Sequence, residues 1–208
     1  MSDAGDVLGE AVAHFHAGRL AEAAAACERL LQRSEHPEPL NLLAVIRLQE
    51  GNVAAAGALY DRIVALDPDA AEAHENLGLT LAWQRQYAAA LDSFQRALAL
   101  RPDRPEAHNN IGNVLLAQGR AEAAIESFRK AATIQPRFVQ AHYNLGAALA
   151  AAGRHPEAIA SYRAAIALAP DFAEAHNNLA ISLRATADGR GAVQGFRRAV
   201  ELRPDFAE

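Results

Sequence analysis

One lysine, one cysteine, one methionine and one tryptophan are all that the 208 residues hold of those types. The single cysteine, Cys27, excludes an internal disulfide framework and fits a reducing compartment. No run of about 18 apolar residues occurs, so no transmembrane helix and no membrane insertion are predicted. The opening MSDAGDVLGEAVAHFH places acids where a secretory signal would be basic. A net charge of −5 and a pI near 5.9 give no basic face for nucleic acid. These absences describe a soluble protein, expected in the cytoplasm. With 51% hydrophobic residues it can still bury a sizeable core.

Catalytic chemistry is missing in the same way. Cys27 belongs to a helical apolar stripe and has no base at a readable spacing. No glycine-rich phosphate loop follows a strand, and no strand is predicted at all. The expectation is therefore no enzyme site, no cofactor and no metal within these residues.

What is present is repetition. Pro68, Pro102, Pro136, Pro170 and Pro204 recur every 34 residues, and five units follow at 37–70, 71–104, 105–138, 139–172 and 173–206. A degenerate sixth covers about 4–36, where AGRLAEAAAACERLL echoes AQGRAEAAIESFRKA at 117–131. The whole of 1–208 reads as one repeat domain, with the start of a further unit at 207–208.

Inside a unit the apolar period is helical. His108, Ile111, Gly112 and Leu115 stand at i, i+3, i+4 and i+7, and Ala124, Phe128 and Ala131 form a second stripe. Gly119 supplies the turn between them, and Pro136 ends the second helix. Asp69, Asp103, Asp171 and Asp205 stand where they can cap the next helix. Gly78, Gly112 and Gly146 are expected to lie against Ala90, Ala124 and Ala158, with Phe94, Phe128, Tyr162 and Phe196 filling the space beyond. Each unit is thus helix–turn–helix, and stacking of neighbours must bury what one pair leaves exposed.

Period and residues together resemble the tetratricopeptide repeat, W-x2-L-G-x2-Y…A-x3-F…P, over roughly residues 4–206. The resemblance implies an all-α, right-handed α-solenoid of about six helix–turn–helix units. The chain departs from the pattern in definite places. His74, His108, His142 and His176 replace the tryptophan, and Leu81, Leu115, Leu149 and Leu183 replace the first tyrosine. Arg85 stands at the turn glycine. The last unit carries Ala180 for glycine and displaces its glycines along ATADGRGAVQG, so it is expected to be the least stable.

One polar residue keeps its place while its neighbours drift: Asn76, Asn110, Asn144 and Asn178. At 100° per residue it falls opposite the apolar stripe, on a face shared with Asn109 and Asn113. An exposed asparagine costs a helix roughly 0.5–0.7 kcal/mol against alanine, so helix formation does not ask for it. An amide offers a donor and an acceptor, matching an extended peptide backbone. Similar asparagines line the inner groove of O-linked N-acetylglucosamine transferase superhelices and, by that resemblance, grip substrate peptides. Two other readings stand beside this one: duplication of an unused residue, or hydrogen bonds to the protein's own scaffold between adjacent repeats.

The candidate peptide-binding set is Asn76, Asn110, Asn144 and Asn178, with Asn109, Asn113, Asn177, Tyr143 and Trp83 as neighbouring contacts. The four histidines read as packing residues with a hydrogen bond, because no cysteine or carboxylate closes a tetrahedral site around them. Glu72, Glu106 and Glu174 suit the first helical turn and give a mildly acidic groove, suited to a basic peptide. Arg184 is the sole cation on this face, which argues against a clamp for a partner's C-terminal carboxylates.

Three functions remain open. The first is a protein-interaction scaffold for an extended segment. The second is the recognition region of a larger enzyme, by resemblance a glycosyltransferase of the O-linked N-acetylglucosamine type. The third is an array that self-associates head to tail, since no polar capping element follows Leu202.

Overall fold

The computed structural model describes residues 2–204. The expected start of a further repeat at 207–208, and Asp205, lie outside the described residues. Among the described residues there are twelve helices and no strand. The chain divides into two compact units, Met1–Pro102 and Asp103–Glu208, each an α-solenoid of three helix pairs.

The first unit pairs α1 (Ser2–His16) with α2 (Leu20–Leu31), α3 (Pro37–Gln49) with α4 (Val53–Leu66), and α5 (Ala71–Trp83) with α6 (Tyr87–Leu100). Each helix packs on the next, and α1 also touches α3. A continuous core runs through Ala23, Cys27, Leu40, Ile46, Tyr60 and Leu77. Burial pushes the Cys27 thiol up to about 11, with Glu28 adding to the shift.

The second unit pairs α7 (Pro105–Ala117) with α8 (Ala121–Ile134), α9 (Val139–Ala151) with α10 (His155–Leu168), and α11 (Ala173–Ala185) with α12 (Gly189–Leu202). Here α7 touches α9, and α9 touches α11, so the first helices of successive pairs lie side by side.

Every turn within a pair passes through the left-handed region. Gly18, Gly51, Gly119 and Gly153 do so at φ +73° to +76°. Arg85 and Ala187 adopt the same conformation at φ 61° and 64°, although each carries a Cβ. In the last pair the glycine has slipped past the turn, and Ala187 bears the strain instead.

The helix-facing glycines are required by sterics, though against a different partner from the expected alanines. A Cβ on Gly112 would lie 2.5 Å from Phe128 Cε1, and one on Gly78 or Gly146 would lie 2.7 Å from Phe94 or Tyr162. The aromatic ring itself lies over the missing side chain. Phe94 and Phe128 are completely buried as a result. In the last pair Ala180 fills that space, and the small residue moves to the opposite helix: a Cβ on Gly195 would be 2.9 Å from the Ala180 Cβ. Phe196 is left half-buried, with the Arg184 guanidinium 5.8 Å above its ring.

The histidines bind carbonyl oxygens. His74, His142 and His176 place Nε2 2.9 Å from the carbonyls of Pro68, Pro136 and Pro170, six residues earlier. Each ring donates to the carbonyl of the proline just past the second helix of one pair, and so fixes the corner into the next pair.

The aspartate caps are corrected. The residues flanking α5, α7 and α11 are Ala70, Arg104 and Phe172, and none accepts a side-chain capping bond. Asp69, Asp103 and Asp171 each precede that position by one residue, too early to reach the amides of the first turn. Asp69 pairs instead with Arg96 at 3.2 Å. Side-chain caps occur at second helices, where Asn52 accepts from the Ala55 amide at 3.1 Å and Asp188 from the Gly191 amide at 2.9 Å.

Candidate peptide-binding face

The candidate residues fall on the first helices of four pairs, α5, α7, α9 and α11. On α5, Asn76 is half-buried and Trp83 is 59% exposed.

In the second unit the face is more tightly built than the sequence suggests. Asn144 on α9 donates to Asn109 Oδ1 at 2.9 Å and to Asn113 Oδ1 at 3.2 Å, both on α7. Its own Oδ1 accepts from Gln140 at 2.8 Å. On α11, Asn178 donates to the Tyr143 hydroxyl at 3.0 Å, and Asn177 donates to Asn178 Oδ1 at 3.4 Å. Both N–H groups of Asn144 therefore serve the scaffold between adjacent repeats. Among the described residues, Asn76 and Asn110 make no such bond.

Asn109 is corrected: it is 5% exposed rather than outward-facing. The helical wheel places it opposite its own pair's core, but that flank is where α9 arrives. Tyr143 holds the same place one pair later. Its ring lies 4.8 Å from Phe172 and 6.0 Å from Tyr162, and burial followed by Glu174 raises its hydroxyl above the ordinary tyrosine range. The 35-residue offset between Asn109 and Asn144, and between Tyr143 and Asn178, is a polar pairing visible in sequence once the stacking is known.

The acidic character of the face is reduced by partners. Glu72 lies 3.5 Å from Arg101, and Glu174 pairs with Arg203. Away from this face, Arg154 bonds Glu157 and holds its carboxyl below the usual carboxylate range. Among the described residues no group of three His, Cys, Asp or Glu side chains is placed to hold a metal ion, and no helix is long and apolar enough to cross a membrane.

Sequence reasoning passed over Ser182, which is fully buried on α11 beside Asn178. Its signal was a hydroxyl at the position that holds Ile46, Val114 and Ala148 in three other pairs and Thr80 in a fourth.

A sequence profile described as "Tetratricopeptide repeat" matches residues 7–37, 41–105 and 76–137, more than half of the chain. This chain belongs to the tetratricopeptide repeat family. Further profiles of that family match residues 115–160 and 148–184. Comparison with curated proteins gives no match. Among solved structures, PilF of Pseudomonas aeruginosa is similar with a TM-score of 0.81 at 19% identity, over 97% of this chain and 92% of that one. MamA of Desulfovibrio magneticus RS-1 follows at 0.73 and 22%, over 81% and 96%. YrrB, described as a TPR protein with an unusual peptide-binding site, follows at 0.69 and 23%, over 88% and 94%. At these identities the likeness is one of tetratricopeptide fold.

Proposed function

We propose that this chain is a protein-interaction scaffold that holds an extended peptide against the first helices of its pairs. The reading is carried by the side-by-side placement of α7, α9 and α11, which sets Asn110, Asn144 and Asn178 at 34-residue intervals, each half-buried. Asn144 and Asn178 are held by neighbouring helices and act as a fixed frame. Asn110, with no intramolecular bond, is the amide of the second unit that reaches a peptide backbone, and Asn76, also with none, is the corresponding amide of the first unit. Trp83 offers an apolar surface on the helix that carries Asn76.

The test is affinity capture of a capped random-sequence peptide library, followed by titration of the peptides retained. Replacing Asn76 and Asn110 together by alanine is expected to weaken binding about five-fold per lost hydrogen bond, with the melting temperature held or raised. Unchanged affinity would remove the amides from the reading, and a wild-type protein that retains no peptide would remove the reading itself.

Self-association is a second reading, favoured by one position. Ile125 and Ile159 are buried, whereas Val193 at the same place on α12 is 59% exposed. Sedimentation velocity across a wide concentration range, with Val193→Glu as the control, distinguishes it: concentration-dependent assembly that Val193→Glu abolishes supports this contact.

A further inference from the structure

A pocket of about 190 Å³ opens in the second unit, lined by Ala147, Ala150, Tyr162, Asn178, Ile181 and Ser182. It owes its space to small residues on α9. Ala147 and Ala150 stand where α7 has Asn113 and Leu116, 34 residues earlier. Between α7 and α9 the Asn144 amide is taken by Asn109 and Asn113. Between α9 and α11 the Asn178 amide is taken by the Tyr143 hydroxyl, and Ala147 leaves open the place that Asn113 fills one pair earlier. The volume exceeds the roughly 150 Å³ engineered cavity known to admit benzene, so a medium-sized side chain fits.

One of the lining residues carries an unpaired polar atom. Ser182 is fully buried, and its Oγ has no hydrogen-bond partner. The other buried aliphatic hydroxyls satisfy themselves on their own helices: Thr80 bonds the Leu77 carbonyl at 2.8 Å, and Ser161 the Glu157 carbonyl at 3.1 Å. Exposed and half-buried hydroxyls at Ser93, Ser127 and Thr186 do the same. Ser182 alone among these turns away from that solution, at a place where Thr80 bonds its own helix and Ile46, Val114 and Ala148 show that packing also accepts an apolar residue. A buried hydroxyl left unpaired is costly, and a ligand that pairs it recovers that cost on binding.

The remaining lining is uncharged. Asn178 is neutral, and burial pushes the Tyr162 hydroxyl well above its ordinary value, so it too stays neutral. A charged ligand group would be desolvated here with no counter-ion.

We infer that this pocket is a specificity subsite of the peptide-binding face, taking a neutral side chain with an aliphatic body and a hydroxyl or amide end, such as threonine or glutamine. The inference rests on the peptide-binding reading above. The methyl groups of Ala147 and Ala150 and the Ile181 side chain cover the body of the bound residue. Ser182 Oγ exchanges a hydrogen bond with its polar end.

The experiment is a positional-scanning library of acetylated, amidated peptides, titrated against the full chain. At one peptide position threonine is expected to bind about five-fold better than its near-isostere valine, and glutamine about five-fold better than leucine. Ser182→Ala should erase both preferences while leaving the valine and leucine peptides bound as before. Ala150→Leu should weaken every side chain larger than alanine at that position. Leucine is already accommodated as Leu116 one pair earlier, so the fold should tolerate it, and Ser182→Ala tests the inference even if it does not. A wild-type protein that binds peptides without these preferences, or preferences that survive both substitutions, overturns the subsite and leaves the scaffold intact. A wild-type protein that retains no peptide overturns both.

Discussion

Asn144 reaches back 35 residues to the buried Asn109 Oδ1 at 2.9 Å, tying α9 to α7 through a pair of amides. Asn178 repeats the offset onto the Tyr143 hydroxyl. The asparagines of this face therefore divide into two kinds, and substitution should separate them.

Asn144→Ala strips a buried acceptor of its donor and should destabilise the chain by about 1–3 kcal/mol. Asn110→Ala removes no internal bond and replaces a poor helix former, so stability should hold or rise by roughly 0.5 kcal/mol. Urea denaturation of the two variants checks the order. If Asn110→Ala proved the more damaging, the division would fail.

The turn at Arg85 and the turn at Ala187 hold a left-handed backbone that four other turns assign to glycine. Arg85→Gly and Ala187→Gly should each stabilise the chain by about 1 kcal/mol, because the Cβ penalty disappears. A shift of the denaturation midpoint to higher urea at an unchanged slope is the expected observation.

Gly112→Ala brings two effects of opposite sign. Helix propensity favours the change by about 0.5–1 kcal/mol, while overpacking against the buried Phe128 ring costs about 1–3 kcal/mol. Overpacking should win, because the ring lies 2.5 Å from the new Cβ. Gly9→Ala on α1 meets nothing within 4 Å and should stabilise by the propensity term alone. Thermal melts of the two variants should move in opposite directions.

The Cys27 thiol gives an alkaline prediction. Its value rises from 9.0 to about 11 on folding, so the folded chain keeps a proton that the unfolded chain loses. The stability it contributes is complete below pH 9 and is lost as pH rises from 9 towards 11. Each unit of that shift corresponds to about 1.4 kcal/mol. Denaturation curves at a series of alkaline pH values should show the decline, and Cys27→Ala should flatten this part of it.

The repeat period, the helix pairs and the turn glycines were legible because a 34-residue spacing records what one pair needs. Gly112 was matched with Ala124 as small against small, and the structure sets the Phe128 ring against it instead. The aspartate caps were misread because one residue of phase decides whether a side chain reaches a helix amide, and proline spacing does not carry that phase. Asn109 was misplaced for another reason. A helical wheel shows which side faces a helix's own partner, and says nothing of which flank the next pair will cover. The likeness to O-linked N-acetylglucosamine transferases rested on the asparagine position, and here Asn144 and Asn178 spend amide protons on neighbouring helices. Ser182 showed in the sequence only as a hydroxyl, and that it lacks the partner Thr80 finds is known only in three dimensions.

The bond from His142 to the Pro136 carbonyl has a consequence for how such a chain can be cut and rejoined. A module excised at the prolines separates donor from acceptor and leaves both ends frayed. One that begins at Gly119 and ends at Gly153 carries the second helix of one pair, the corner with its histidine bond, and the first helix of the next. The joints then fall in turns that already tolerate a left-handed residue. For recombination of these repeats, the exchangeable piece is the corner.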